Sequence, residues 1–417
     1  MHNGYDMWSR LKTEFSFIRG NLLTLIVTWL FFFFAYSAVA TFESPFIREL
    51  GASPTMIGLM GSLGAAVFVL VQIPGAYIAD KYGRRQIVVT MTFVLSFSYL
   101  FYALAPDWRF VLVGMLVANL ASIYQPALTA LEADSIHPEK RGMGYAAVNV
   151  IPRIPTVFAP ALAGWAVEQL GMVPGMRVIY LLVFSCVLFA AVIRMLFVKE
   201  TLVTPKVIAL RELKGAFRES FRSTVGVWKL IPSSLRFLTL ARLLSAFEEP
   251  IWFTFMSLYA LDVIGVSVEE LTLASVVYGA VIILLGFPLG KLVDKVGRKI
   301  MLAFTYFFIF APFVALFLIS RDFTSVLFAY VLFGIGRGLT VPAYGALQAD
   351  IVPREVRGRV LGGLDTLNVL AIIPASALGG FLYDMEPSYP FVLSLGFAVI
   401  VGSVILLAVK EPSKREL

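Results

Sequence analysis

Charge is scarce in this sequence. Only 15% of its 417 residues are Asp, Glu, Lys or Arg, while 59% are hydrophobic; a soluble domain carries about a quarter charged residues. So little polar side chain cannot coat a chain of this length against water, so its apolar surface must meet lipid. Cysteine is nearly absent. The lone Cys186 excludes an internal disulfide and a cysteine metal cluster, and it reads as a small core residue. Two histidines, His2 and His137, leave little for metal chemistry. A phosphate-binding glycine loop, a nucleophile elbow and a zinc motif are all missing, which removes the grounds for an enzyme, for ATP use or for a cofactor.

What is abundant is long apolar runs. A spanning helix needs about 20 such residues. Runs of that size recur at 22–42, 55–79, 86–105, 110–133, 143–167, 177–198, 237–261, 270–293, 300–320, 323–349, 358–383 and 390–409. They are continuous rather than alternating, so they predict an all-α membrane protein of twelve helices and not a barrel. The first run follows Arg10, Lys12 and Arg19, is too long for a signal-peptide core and lacks a cleavage site behind it, so it is expected to be retained. The one long hydrophilic stretch divides the chain into a first six-helix bundle (1–198), a linker (199–235) and a second six-helix bundle (236–417). Within the linker, Leu213, Phe217, Phe221 and Trp228 fall near one helical face and Arg211, Lys214, Arg218 and Arg222 near another. That pattern predicts an amphipathic helix lying on an anionic bilayer surface.

The net charge of +7 is distributed by side. One set of connections holds Lys81, Arg84, Arg85, Lys140, Arg141, Lys291, Lys295, Arg298, Lys299, Arg354, Arg357, Arg359, the linker and both tails; the other holds only Arg48, Arg109, Arg177 and Arg321. The positive-inside rule then predicts a multi-pass protein of the cell membrane with both termini cytoplasmic. The lysines and arginines are accounted for by orientation, which leaves no case for nucleic-acid binding. Oligomeric state leaves no mark in the sequence.

The two halves repeat one another. Pro74 and Asp80-Lys81-Tyr82-Gly83-Arg84-Arg85 match Pro288 and Asp294-Lys295-Val296-Gly297-Arg298-Lys299 at an offset of 214. Pro126-Ala127, Ala130-Leu131-Glu132-Ala133-Asp134 and Arg141-Gly142 match Pro342-Ala343, Ala346-Leu347-Gln348-Ala349-Asp350 and Arg357-Gly358 at 216. Both matches fall on the same side, so the repeat is parallel, with its axis along the membrane normal. On these motifs the chain resembles the major facilitator superfamily, whose signature is the D-[RK]-x-G-R-[RK] loop between helices 2 and 3. The resemblance implies alternating access, with Asp80, Arg84, Arg85, Asp294, Arg298, Asp134, Arg141, Asp350 and Arg357 as the cytoplasmic gate. Physically, Gly75 and Gly290 are small enough for close helix contact. Gly83 and Gly297 permit a tight reversal, and Asp80 and Asp294 are expected beside neighbouring helix N-termini.

Ionisable residues at membrane depth are functional candidates. Counted at the helical rise from the cytoplasmic ends, Arg153 lies roughly 16 Å deep, Glu248 and Glu249 roughly 18 Å and Arg337 roughly 20 Å, near the middle of a core about 30 Å thick. Each sits by a helix-loosening element: Pro152 and Pro155, Pro250, and Gly334-Ile335-Gly336-Arg337-Gly338. Glu248 and Glu249 point about 100° apart, and Glu248 is the favoured cavity-facing carboxylate. The alternative role for these four residues is a buried ion pair. Asn119, Tyr124 and Gln125, with Tyr36 and Tyr344, offer hydrogen bonds to a substrate or to another helix; Asp365 matches Asn149 in the repeat. Arg194 and Arg242 are expected to snorkel.

The resemblance further suggests proton-coupled export of an amphipathic small molecule, since Ala159-Pro160-Ala161-Leu162-Ala163-Gly164 is a reduced form of the exporters' helix-5 element. The arginine usual early in helix 4 is replaced by Gly114. The alternative is an organic-anion or sugar transporter in which Arg153 and Arg337 hold the substrate.

Overall fold

The computed structural model describes residues 17–81, 83–202, 233–352 and 357–409. These residues hold twelve long helices: α1 Asn21–Ala40, α2 Pro54–Lys81, α3 Arg84–Ala103, α4 Trp108–Ser135, α5 Arg141–Leu170, α6 Met172–Phe197, α7 Ser233–Phe253, α8 Val268–Val296, α9 Arg298–Ile319, α10 Phe323–Ile351, α11 Arg357–Met385 and α12 Tyr389–Ala408. Lipid offers backbone groups no hydrogen bonds, and helices satisfy their own. Among the described residues eleven helices are long and apolar enough to cross a membrane. The twelfth, α7, carries Arg236, Arg242, Glu248 and Glu249. The amphipathic stretch expected within the linker lies outside the described residues.

Several helices are interrupted where the sequence loosens them. A 3-10 turn, Ile151–Val157, splits α5 around Arg153, with Pro152 and Pro155 inside it. Another, Ser122–Tyr124, interrupts α4 just before Pro126. Helix α7 carries Pro250, re-forms as Met256–Tyr259 and ends in a π turn, Ala260–Ile264, at Gly265. A π turn at Tyr306–Phe310 interrupts α9 without any local signal. Helix α10, by contrast, runs unbroken through its glycine cluster. There Gly334, Gly336 and Gly338 face side chains of Val281, Phe310 and Leu289, so these glycines admit neighbours rather than loosen the backbone. A short helix, Glu43–Glu49, follows α1 and is too brief to announce itself as an apolar run.

Gly83 and Gly297 have φ of 95° and 112°, the left-handed region that lets the chain reverse between α2 and α3 and between α8 and α9. We call the side carrying these turns the basic end. The first six and last six helices meet mainly through α2 against α11 and α5 against α8. Toward the opposite end Thr55 donates to Asp384 at 2.6 Å, Thr41 and Ser275 are bonded at 3.1 Å, and Arg48 pairs with Asp262 at 2.7 Å. Gly58 packs against the backbone of Ser376 and Gly380, and Gly164 against Thr272. That end is closed.

The expectation that Gly290 mediates close helix contact is not met among the described residues, none of which lies within 4 Å of where its Cβ would stand. Gly75 does mediate one, since a methyl group there would collide with the Ile123 carbonyl of α4. Gly75→Ala should therefore lower the thermal midpoint of the purified protein by an overpacking cost of about 1–3 kcal/mol, whereas Gly290→Ala should leave it unchanged or raise it.

Candidate functional site

At the basic end the sequence repeat becomes a repeated ion pair. Arg84, opening α3, pairs with Asp134 of α4 and reaches the Ala130 carbonyl at 3.4 Å. Arg298, opening α9, pairs with Asp350 of α10 and reaches the Ala346 carbonyl at 3.5 Å. Each clamp ties helices within one half. Asp294 lies 3.5 Å from Arg298; Arg141 is exposed, and the side chains of Asp80 and Arg357 lie outside the described residues. The N-terminus of α3 is occupied by Glu200, whose carboxylate accepts from the N–H groups of Arg84, Arg85, Thr201 and Leu202. Arg85 donates to the Val198 and Met195 carbonyls at the end of α6, both at 2.7 Å. Although partial burial opposes ionisation, the four N–H donors hold the Glu200 carboxyl below its ordinary value.

Between the last six helices lies a cavity of about 120 Å³. Helix α7 supplies Arg242, Ser245, Glu248, Glu249 and Trp252; the π turn of α9 supplies Tyr306 and Phe310; α10 supplies Phe333, Arg337 and Tyr344; α12 supplies Ser394. π turns recur at functional sites because they re-aim side chains. Glu248 and Glu249 border the same cavity but point apart. Glu248 accepts a short hydrogen bond from the Ser394 hydroxyl on α12. Glu249 pairs with Arg337 at 2.9 Å, both side chains about one-third exposed (36% and 35%). Tyr36 of α1 is 69% exposed and lies within electrostatic reach of Glu249, as does Tyr278 of α8. Both carboxylates line the cavity, Glu248 beside Ser394 and Glu249 beside Arg337. Glu248 is bonded to α12 and Glu249 to α10, with Tyr36 of the first half within electrostatic reach of Glu249. The ion-pair role holds for Glu249 and Arg337, while Glu248 has no ion pair among the described residues.

Tyr344 and Tyr306 share a hydroxyl cluster with Ser245, with contacts of 2.7–3.4 Å. Arg242 does not snorkel: its guanidinium lies over the Tyr344 ring, 5.2 Å from the centroid, with Asp365 within electrostatic reach. Arg194 does not snorkel either. It is wholly buried, donates to Thr28 and Thr92, and lies over Phe32 at 4.6 Å and near the Trp29 and Tyr124 rings. Aromatic faces and hydroxyls replace the water a snorkelling head would seek. Tyr124 is therefore buried beside Arg194, Gln125 is half-buried, and Asn119 donates to the Met115 carbonyl. Arg153 is exposed, lies over Phe33 at 4.6 Å, and has no ion pair among the described residues, so it is brought to neither glutamate. At Gly114 a Cβ would press on the Ser98 carbonyl and Tyr102 ring, so α3 leaves no room there for an arginine.

The sequence did not point to Ser394, Tyr278, Trp29 or Glu200. The first three lie in apolar runs where one polar group carries no signal. Trp29 donates to Glu132, a carboxylate within electrostatic reach of Arg194.

A family model of the Major Facilitator Superfamily matches residues 24–272 and 238–417. The multi-drug resistance efflux pump PmrA of Streptococcus pneumoniae is 25% identical over 90% of this chain and 94% of its own. The cis,cis-muconate transport protein of Acinetobacter baylyi is 26% identical over 87% of each chain. The inward-facing, unoccupied crystal structure of a bacterial homologue of the human lysosomal transporter Spinster superimposes with a TM-score of 0.72 at 18% identity, covering 93% of this chain and 96% of its own.

The Glu200 cap gives a pH dependence. A depressed carboxyl stabilises the fold above the ordinary glutamate value of about 4.3, and that contribution is lost as pH falls through the lower folded value. Glu200→Gln should therefore lower the thermal midpoint at pH 7 and show less further loss than wild type on acidification, as read by melting curves from pH 7 to pH 3.

Proposed function

The chain belongs to the Major Facilitator Superfamily, and from that premise we propose that this transporter exports an amphipathic small molecule in exchange for protons. The observation that carries the reading is the partly exposed Glu249–Arg337 pair, joining the Pro250 end of α7 to the middle of α10, with Tyr36 of the other half within electrostatic reach. An ion pair at that depth is costly to expose to lipid and is held by its partner and by water in a cavity. When a proton neutralises Glu249, Arg337 loses its counter-charge, and the balance between the two arrangements of the helix bundles shifts. Residues 1–198 and 236–417 are the moving units, joined by the 199–235 linker. The clamps Arg84–Asp134 and Arg298–Asp350 keep each unit rigid as it rocks. With the termini on the cytoplasmic side, as the basic loops suggest, the closed end faces outward. The multidrug pump PmrA supports an amphipathic cargo by similarity, and the aromatic walls around Glu248 suit one.

One observation favours a second reading. Arg153 is an exposed cation with no acidic partner among the described residues, and a relative carries muconate. In an organic-anion transporter Arg153 would bind the carboxylate.

Liposomes containing the purified protein, loaded with an amphipathic fluorescent dye and given a pH gradient, test the choice. Glu249→Gln should reduce gradient-driven dye flux by about tenfold or more, a coupling energy in the ordinary range, with Glu248→Gln also impaired. Flux that ignores the gradient would remove proton exchange. Loss of dicarboxylate uptake in Arg153→Ala, with dye flux absent from wild type, would select the second reading.

A further inference from the structure

Helix α7 runs inward from the basic end and places Arg242, Ser245 and Glu248 three residues apart along the cavity wall. At the helical rise each step is about 4.5 Å, so the three form a ladder from the basic side to the carboxylate. Two phenols join its middle rung. The π turn of α9 brings in Tyr306, whose hydroxyl is 2.7 Å from Ser245. Tyr344 of α10 stands 3.4 Å from Ser245 and 3.3 Å from Tyr306. Ser245 directs its own proton to the Ala241 carbonyl at 2.8 Å, so its oxygen receives one from a phenol. The phenol oxygens keep lone pairs for the cavity. On the other side of Glu248 the wall changes. Trp252, Phe313 and Phe333 line the cavity toward the closed end and pack ring on ring, with centroids 5.1–5.4 Å apart. A cavity walled by rings stays dry, whereas hydroxyls hold water, and about 120 Å³ accommodates several molecules. Water therefore finds partners on the basic side of Glu248 and ring faces on the closed side.

The charged groups around this carboxylate are few. Glu249 and Arg337 are engaged with each other, and α12 contributes the Ser394 hydroxyl. Arg242 lies on the Tyr344 ring at the basic end of the ladder, where the exposed Asp365 of α11 is within electrostatic reach and offsets its charge. We propose that Ser245, Tyr306 and Tyr344 position a file of water that carries protons between Glu248 and the basic end, while the Trp252–Phe313–Phe333 stack bars the closed side. As Glu248 releases its proton, the first water takes it and hands one of its own to the next, so each oxygen ends with the protons it began with. The three hydroxyls are positioning residues. The inference rests on the proton-exchange reading and adds to it the side on which the proton is exchanged in this arrangement and the groups that guide it.

The test uses the full-length protein with Tyr306→Phe and Ser245→Ala, each of which removes one oxygen and keeps the surrounding shape. In infrared spectra after a pH jump between 9 and 5, the carboxylic C=O band of Glu248, identified by its loss in Glu248→Gln, should appear several-fold more slowly in both variants than in wild type. In liposomes both variants should slow gradient-driven dye flux more than dye counterflow at equal pH, because counterflow needs no net proton release. A band that appears at the wild-type rate in both variants, or no Glu248 band in wild type across this range, overturns the route. Equal losses of driven flux and counterflow also overturn it, since a structural role predicts them. Wild-type flux indifferent to the gradient rejects proton exchange, and the infrared rate then still decides whether the hydroxyls guide protons to Glu248.

Discussion

Lipid does not solvate charge, and every ionisable side chain at depth must find its solvent within the protein. Helix α7 shows the constraint most clearly. Arg242 rests on the Tyr344 ring, Glu248 accepts from Ser394 and Glu249 pairs with Arg337. Two of these solutions recruit α10 and one recruits α12, so the charges of α7 tie it to both helices. The first half holds its two deep arginines, among the described residues, without a direct ion pair. Arg194 is enclosed by hydroxyls and rings, and Arg153 lies over Phe33. The scaffold is repeated but its charge is not. Two carboxylates and two arginines line the cavity of the second half, whereas in the first half Arg153 and Arg194 lie on aromatic rings, with Glu132 within electrostatic reach of Arg194. In the proposed exchange, this asymmetric site on a symmetric frame is what a proton would change.

The frame itself depends on small residues and repeated clamps. Gly58 and Gly380 bring α2 and α11 into backbone contact, and Gly164 seats Thr272 between α5 and α8. These contacts close one end through surfaces with few polar bonds, which can separate without leaving many donors unsatisfied. The paired Arg84–Asp134 and Arg298–Asp350 clamps act inside each half and not between them. Helices held in this way move together, which is what alternating access between packed bundles requires.

Most of the fold was legible in the sequence because lipid imposes a length and a composition on every span. All twelve runs became helices, and Gly83 and Gly297 took the left-handed conformation that their loops needed. The site was legible only in part. Arg337 and Glu249 announced themselves by depth, and their pairing followed. The Ser394 partner of Glu248 did not, because it depends on the rotation of α7, which is set by tertiary packing rather than by any local pattern. Arg194 misled for a related reason. Distance from the helix end permits snorkelling, but α1 and α3 cover that face and turn the guanidinium inward. Gly334, Gly336 and Gly338 looked like a break and proved to be packing positions, a distinction visible only once their neighbours Val281, Phe310 and Leu289 are known.

The central claim is that protonation in the membrane interior moves the two halves against each other. Spin labels read this directly in a Cys186→Ser background, one pair at Met143 and Ile300 on the basic end and a second at Glu49 and Glu386 on the closed end, all exposed positions. Lowering the pH from 8 to 5 should change the two distances in opposite directions in wild type, and Glu249→Gln should hold one arrangement at both pH values. Distances that stay fixed, or that lengthen and shorten together, would contradict the account.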